Sequence, residues 1–571
     1  MKIKQFCMTL LCAALIFTAV PLSASADSAG DLTVTGGILA TDYSYDEGQE
    51  RLTILTDTPM TISGTTEKDV VWVAAGVTAN ITIDNLSISI PRSKQEAAFE
   101  IMENASLNLT VLGANTLRGG EYRAGLSVRN TALLVITDAS TGALDAYGGF
   151  GAAGIGGNFE RQINNTPYTG GTIIINAGAI NAAAGIDDGT WRVYFGAGIG
   201  SGVCGKTDNA AHITINGGIV KAVCKDDYGN GTGAAIGGGY NCRGSFFWIN
   251  GGTVEATGDH VGIGGGVCNP GGKLLIKGGT VKVNEMGASV FYDDDYEKTA
   301  YPTLIEFDSL NDIKKIDFLA ASLDGADYSY GIKDVFTDAL GNLYLYLPLN
   351  TVVSGAKISG QLYAGAVTTT DDAQTSSGKL YPGTVITASA ATGGSISPVG
   401  ETYVIYGDNQ TYTVTPDSGY CVASVEVDGS NVGALSSYTF PSVDSEHTIN
   451  AVFGLNPINS SAGSTIYLNG RTTLTPPVGN GHWNFNEEIV SLETHSDGTA
   501  TVTALQEGTT EITYTFNDFS VGFSLTILKS KLPSTGQDNT LVWVLIAIAV
   551  LCAAGAVIIG RYTLNAKNKK A

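Results

Sequence analysis

Carboxylates and aromatic rings gather in the loops of one glycine-rich stretch. Asp187 and Asp188 fall in one loop, Asp226 and Asp227 in the corresponding loop of the next repeat, and Asp259 in the one after that. Stacked repeats would bring these side chains to one side of the molecule. Paired carboxylates there suit acid and base roles in glycoside cleavage, and clustered carboxylate oxygens suit calcium. Trp191, Tyr194 and Phe195 share the first loop, and Tyr168 lies in an insertion before it. Such rings beside carboxylates and amides can stack on sugars. Each group also has a plainer reading. Asp favours turns for local reasons, and an aromatic ring can pack a loop onto its frame. No catalytic residue is assigned. His212, His447, His482 and His495 are scattered over different modules, which argues against a metal centre or a Ser/His triad.

The frame that positions these loops is a repeat. Ile173-Ile174-Ile175-Asn176 recurs as Ile213-Thr214-Ile215-Asn216 and Phe247-Trp248-Ile249-Asn250, and a glycine-rich phrase with Ile199-Gly200, Ile236-Gly237 or Ile263-Gly264 follows each. The strand centres Ile136, Ile175, Ile215, Ile249 and Ile276 are separated by 39, 40, 34 and 27 residues. A variable period between fixed anchors means loops of changing length on a constant frame. Each unit is too small to bury its own apolar face, so units must stack. The spacing predicts a right-handed parallel β-helix in an all-β chain. Asn176, Asn216 and Asn250 then form a ladder at a turn, broken by Lys277, and Ile199, Ile236 and Ile263 form a stacked core column. Only one of Phe247 and Trp248 can face inward.

Composition agrees with a β-rich class. The 571 residues include 74 Gly, 15 Pro and 43% apolar residues, without the Gly-X-Y period of collagen. A net charge of −23 does not suit nucleic acid or anionic lipid. Of eight cysteines none shows CxxC spacing, so no zinc site is expected. Cys204, Cys242 and Cys268 fall at nearly one phase of the repeat, which fits either a small-residue column or a bridge between neighbouring coils.

Both ends carry processing signals. Lys2 and Lys4, an apolar run and Ala24-Ser25-Ala26 mark residues 1–26 as a secretory signal. Leu532, Pro533, Ser534, Thr535 and Gly536 precede an uncharged apolar run, 541–560, and then Arg561, Lys567, Lys569 and Lys570. That run is long enough to span a bilayer as a helix, and the basic residues hold its end in the cytoplasm. Segment 530–571 resembles the LPXTG-type sorting signal of Gram-positive cell-wall proteins. The resemblance implies that a sortase cleaves after Thr535 and joins Thr535 to peptidoglycan, so the membrane is met only through 541–560 before processing.

Residues 27–367 are read as the β-helix with a C-terminal cap, and 368–380 as a Thr/Ser/Asp-rich linker. The span 381–454 carries Gly393-Gly394-Ser395-Ile396-Ser397-Pro398, Val425-Glu426-Val427-Asp428-Gly429 and a closing Ala451-Val452-Phe453. It resembles the internalin B-repeat, which implies a spacer or weak interaction module. The span 455–529 carries His482-Trp483, Gly498-Thr499-Ala500-Thr501-Val502-Thr503-Ala504 and Gly508-Thr509-Thr510-Glu511-Ile512-Thr513. It resembles a group 2 bacterial Ig-like domain, which implies a seven-strand sandwich acting as a stalk. The glycine-rich stretch is similar to β-helix regions of Gram-positive surface proteins.

The chain therefore reads as a secreted, cell-wall-anchored adhesin. Its β-helix is expected to bind a polysaccharide or host glycan, with no resident cofactor beyond an optional calcium ion. A polysaccharide hydrolase or lyase and a structural wall protein without a ligand remain open as alternatives.

Overall fold

A computed structural model describes residues 26–159, 170–185, 195–203, 211–225, 231–267, 271–371 and 375–529. Among these residues every regular element is a β-strand. No helix among them is long and apolar enough to cross a membrane, and the run 541–560 lies outside the described residues. The chain divides into two compact units. One comprises residues up to Ile386 with 403–410 and 440–446; the other comprises 387–402, 411–439 and the remainder from His447.

The first unit is built on parallel pairing between successive repeats. Strand Leu133–Ile136 pairs in register with Thr172–Ile175, which pairs with His212–Ile215, which pairs with the first part of Phe246–Gly258. A second column runs through Ala143–Phe150, Ala179–Gly185, Ile219–Cys224 and the second part of Phe246–Gly258. Long strands such as Thr78–Ser89 and Phe246–Gly258 span both columns. They close the pairing into a ring of ten parallel strands. A third column of short strands includes Leu126–Val128, Ile155–Gly156, Ile199–Gly200, Ala234–Gly237 and Val261–Gly264.

The expected anchors coincide with these columns. Ile155, Ile199, Ile236 and Ile263 are register partners and all buried. Each such side chain contributes about 1.5–3 kcal/mol on leaving water. The glycine after each isoleucine lets the coils approach. Gly200 has φ +139°, and a Cβ there would lie 1.9 Å from the carbonyl oxygen of Gly237. Only glycine fits a position that combines this φ with so close a neighbouring backbone. At the opposite corner the asparagine ladder forms. Asn216 Nδ2 donates to Asn176 Oδ1, and Asn250 Nδ2 donates to Asn216 Oδ1, each at 2.8 Å. Lys277 ends it and pairs with Asp294 at 2.7 Å.

Residues 330–336 fall in the expected cap but run as a strap across the glycine corners of several coils. The carbonyls of Gly331 and Lys333 accept the N–H groups of Gly279 and Gly252, and Asp334 Oδ2 accepts that of Gly218. The corner glycines leave backbone donors open to a passing chain, and this strap satisfies them. The stretch read as a linker differs in part. Residues 376–380 pair in parallel with 303–307, while Ala300–Phe307 pairs antiparallel with Asn342–Pro348.

The second unit contains a two-sheet arrangement. Asn459–Ser460, Arg471–Thr475, Ala500–Ala504 and Val490–Thr494 form one sheet; Thr465–Tyr467, Phe519–Leu528, Gly508–Phe516 and His482–Asn484 form the other. Trp483 and Tyr514 lie between them with ring centroids 4.7 Å apart. The Tyr514 hydroxyl donates to the carbonyl of Val478 at 2.7 Å, so its polar tip is satisfied within the core.

Candidate functional site

In a β-strand alternate residues face outward, so parallel stacking turns each outward position into a column. One face of the first unit has two such columns across eight strands. The first holds Thr78, Ser106, Leu133, Thr172, His212, Phe246, Lys273 and Ser289. The second holds Asn80, Asn108, Val135, Ile174, Thr214, Trp248, Leu275 and Phe291. Neither contains an Asp or Glu, although the chain has 54 of them. On the neighbouring face the outward column does carry charge, with Asp145, Lys221, Glu255 and Lys282.

Near the C-terminal end of this carboxylate-free face the rings converge. His212 and Phe246 lie one coil apart with centroids 6.1 Å apart and planes within 10°. Phe246 and Trp248 sit on one strand, 6.0 Å apart and within 21°. Phe246 is 39% exposed, whereas its neighbour Phe247 is buried in the core. Tyr296 enters from the turn after the last of these strands and meets Phe246 and Phe291 edge-on. Burial raises the Tyr296 hydroxyl above its usual range. Lys273 lies over the Tyr296 ring at 4.9 Å. Leu275, the register partner of Trp248 on the next strand, is buried. The result is an aromatic platform whose rings pack against one another. Such a surface can stack on the apolar face of a sugar ring at low conformational cost.

The sequence placed the binding site elsewhere. Trp191, Tyr194 and Tyr168 lie outside the described residues, as do Asp187, Asp188, Asp226, Asp227 and the sorting motif Leu532 to Gly536. Phe195 corrects the expectation of an exposed ring. It is 1% exposed and packs with Ala184 and Cys224. Its position at the point where the loop rejoins the coil turns the ring inward, where it excludes water. Asp259 ties neighbouring repeats together: its Oδ2 accepts the N–H of Gly231 at 2.7 Å. Among the described residues no three His, Cys, Asp or Glu side chains converge as a metal site. Cys242 is disulfide-bonded, while Cys224 and Cys421 form no disulfide.

A polar cluster on the third column escaped the sequence reading. Glu100 is 3% exposed, and its Oε1 accepts Arg129 Nε at 2.8 Å, with Ser127 Oγ and Asn158 Nδ2 each at 3.4 Å. Trp72 is its register partner, and Arg51 stacks on that indole at 4.0 Å. Half-buried Glu96 is raised above the usual carboxylate range, first by burial and then by Glu100. Glu100 alternates with the core residues Phe99 and Ile101, so the strand pattern reads it as an outward, solvated acid. The partners that reveal it come from three different coils.

Residues 384–457 match the divergent InlB B-repeat domain family. No curated protein matches the chain. Similar solved structures include the N-terminal eight Ig domains of Down Syndrome Cell Adhesion Molecule, at 10% identity over 41% of this chain and 34% of that one, with a TM-score of 0.13. Extracellular domains 3–5 of Drosophila OTK match at 11% identity over 41% of this chain and 92% of that one, with a TM-score of 0.11. The N-terminal four Ig domains of Dscam1 match at 11% identity over 40% and 77%, with a TM-score of 0.09. Overlaps this slight carry no argument about activity or partners.

Proposed function

We propose that this chain is a surface-displayed adhesin that binds glycan through the platform of His212, Phe246 and Trp248. The observation that carries the reading is the near-parallel alignment of these three outward rings, with Tyr296 edge-on to Phe246. The parallel columns are traversed as a right-handed β-helix, which presents the platform. The B-repeat match at 384–457 supports an extracellular setting. The two-sheet segment 455–529 is a group 2 Ig-like stalk. Residues 1–26 direct secretion, and 532–536 direct sortase to join Thr535 to peptidoglycan, with 541–560 holding the membrane until then. A glycan array probed with the purified full chain, with and without calcium, tests the binding. Retention of a glycan that Trp248→Ala abolishes supports it; retention indifferent to Trp248→Ala and Phe246→Ala sinks it.

Glycoside cleavage is the second reading. It is favoured by Glu96, a carboxyl that tends to keep its proton, beside ion-paired Glu100. Release of new reducing ends that disappears in Glu96→Gln would support it; an unchanged rate in that variant would remove it.

A further inference from the structure

The two outward columns extend well beyond the platform, and their regularity has a consequence for the ligand. Successive rungs are about 4.8 Å apart, the spacing of paired strands. That is comparable to the length of one pyranose unit in an extended chain. The rungs change character along the stack: hydroxyls and amides at Thr78, Asn80, Ser106 and Asn108, aliphatic groups at Val135 and Ile174, then the aromatic rings. The amide rungs are also tied to each other: Asn108 Nδ2 donates to Asn80 Oδ1 at 2.9 Å. Side chains linked in this way are already ordered, so a ligand need not order them.

We infer that this face binds a linear, uncharged polysaccharide lying along the stacking direction, with consecutive sugars meeting consecutive rungs. The inference rests on the glycan reading of the platform and adds the shape, charge and orientation of the ligand. Charge decides against a polyanion. Lys277 is paired with Asp294, Lys273 is engaged over aromatic rings, and the turn beside the platform carries Asp293, Asp294 and Asp295. The absence of carboxylates on the rungs spares the desolvation of a charge beneath a neutral sugar. A branched glycan would lift off the flat face after its first branch, so only an unbranched chain uses all the rungs.

Cellulose and chitin oligomers of two to six sugars, titrated against the purified full chain, test this. For at least one series, affinity is expected to rise about tenfold or more from dimer to hexamer, because linked contacts share one association cost. Ile174→Asp, two rungs from Trp248, is expected to weaken the hexamer and leave the dimer unaffected. Ile174→Thr keeps β-branching, serves as the folding control, and is expected to have a smaller effect in the same direction. Binding is expected to be insensitive to salt. If affinity is flat with length, or both Ile174 variants bind the hexamer as the parent does, the extended mode is overturned while the platform reading stands so long as Trp248→Ala still abolishes binding. Retention only of polygalacturonate or heparin, lost at high salt, overturns the uncharged ligand. Binding of no glycan at all overturns both readings.

Discussion

Asn216 lies one coil from Asn176 and donates its side-chain amide to Asn176 Oδ1 at 2.8 Å, while its own Oδ1 accepts from Asn250. The pair turns a sequence repeat into a physical ladder. Asn216→Ala removes two of these bonds and is expected to cost about 1–2 kcal/mol. Asn216→Asp is expected to do more damage, because a carboxylate cannot donate to Asn176. Amide hydrogen exchange at Ile175, Ile215 and Ile249 measures the local loss.

Gly200 gives a harsher test of the stack. A Cβ there would stand 1.9 Å from the Gly237 carbonyl oxygen, at φ +139°. Gly200→Ala is expected to destabilise the first unit by about 4 kcal/mol or more, through backbone strain and displacement of the next coil. Thermal unfolding followed by far-UV circular dichroism should show an early transition, with the second unit still melting as in the parent.

These two features were legible from the sequence because they repeat. An isoleucine column or an asparagine ladder needs one residue type at one phase, and periodicity reports phase. The platform was not legible in the same way. His212, Phe246 and Phe291 come from three coils of unequal length, and Tyr296 comes from a turn outside the repeat. The sequence marked the strand from Phe247 to Asn250 and left out Phe246, and nothing local shows that His212 stands beside Phe246. Phe195 failed for the opposite reason. Its loop neighbours suggested exposure, while the core pocket of Ala184 and Cys224 that receives it is assembled from two different strands.

Tyr296 meets Phe246 and Phe291 edge-on, with centroids 5.6 and 5.8 Å apart. Tyr296→Ala removes both ring contacts. The variant is expected to stay folded and to lose about 1–3 kcal/mol of stability. Glycan affinity is expected to fall about threefold to tenfold, because Phe246 is no longer held before binding. Titration with the glycan retained on the array, alongside thermal unfolding, measures both effects.

Glu96 predicts a pH dependence of definite sign. Its carboxyl is raised above the ordinary glutamate range by burial and by Glu100. In the folded chain it therefore keeps its proton at a pH where the unfolded chain has lost it. Charged Glu96 costs stability once the pH rises through its folded value, and the cost disappears as the pH falls below the unfolded value. Glu96→Gln is expected to raise the melting temperature at neutral pH and to lose that advantage in acid. A variant less stable than the parent at neutral pH would reverse the assignment.

The central claim is that the outward rings of one strand face make this chain a glycan-binding surface protein. The most direct measurement is retention of the purified full chain and of Trp248→Ala on a glycan array, with circular dichroism confirming that both are folded. The account predicts that the parent is retained on a neutral glycan and that the variant loses at least about tenfold in affinity, the loss expected when a buried aromatic contact of about 1.4 kcal/mol is removed. Equal retention of parent and variant would contradict it.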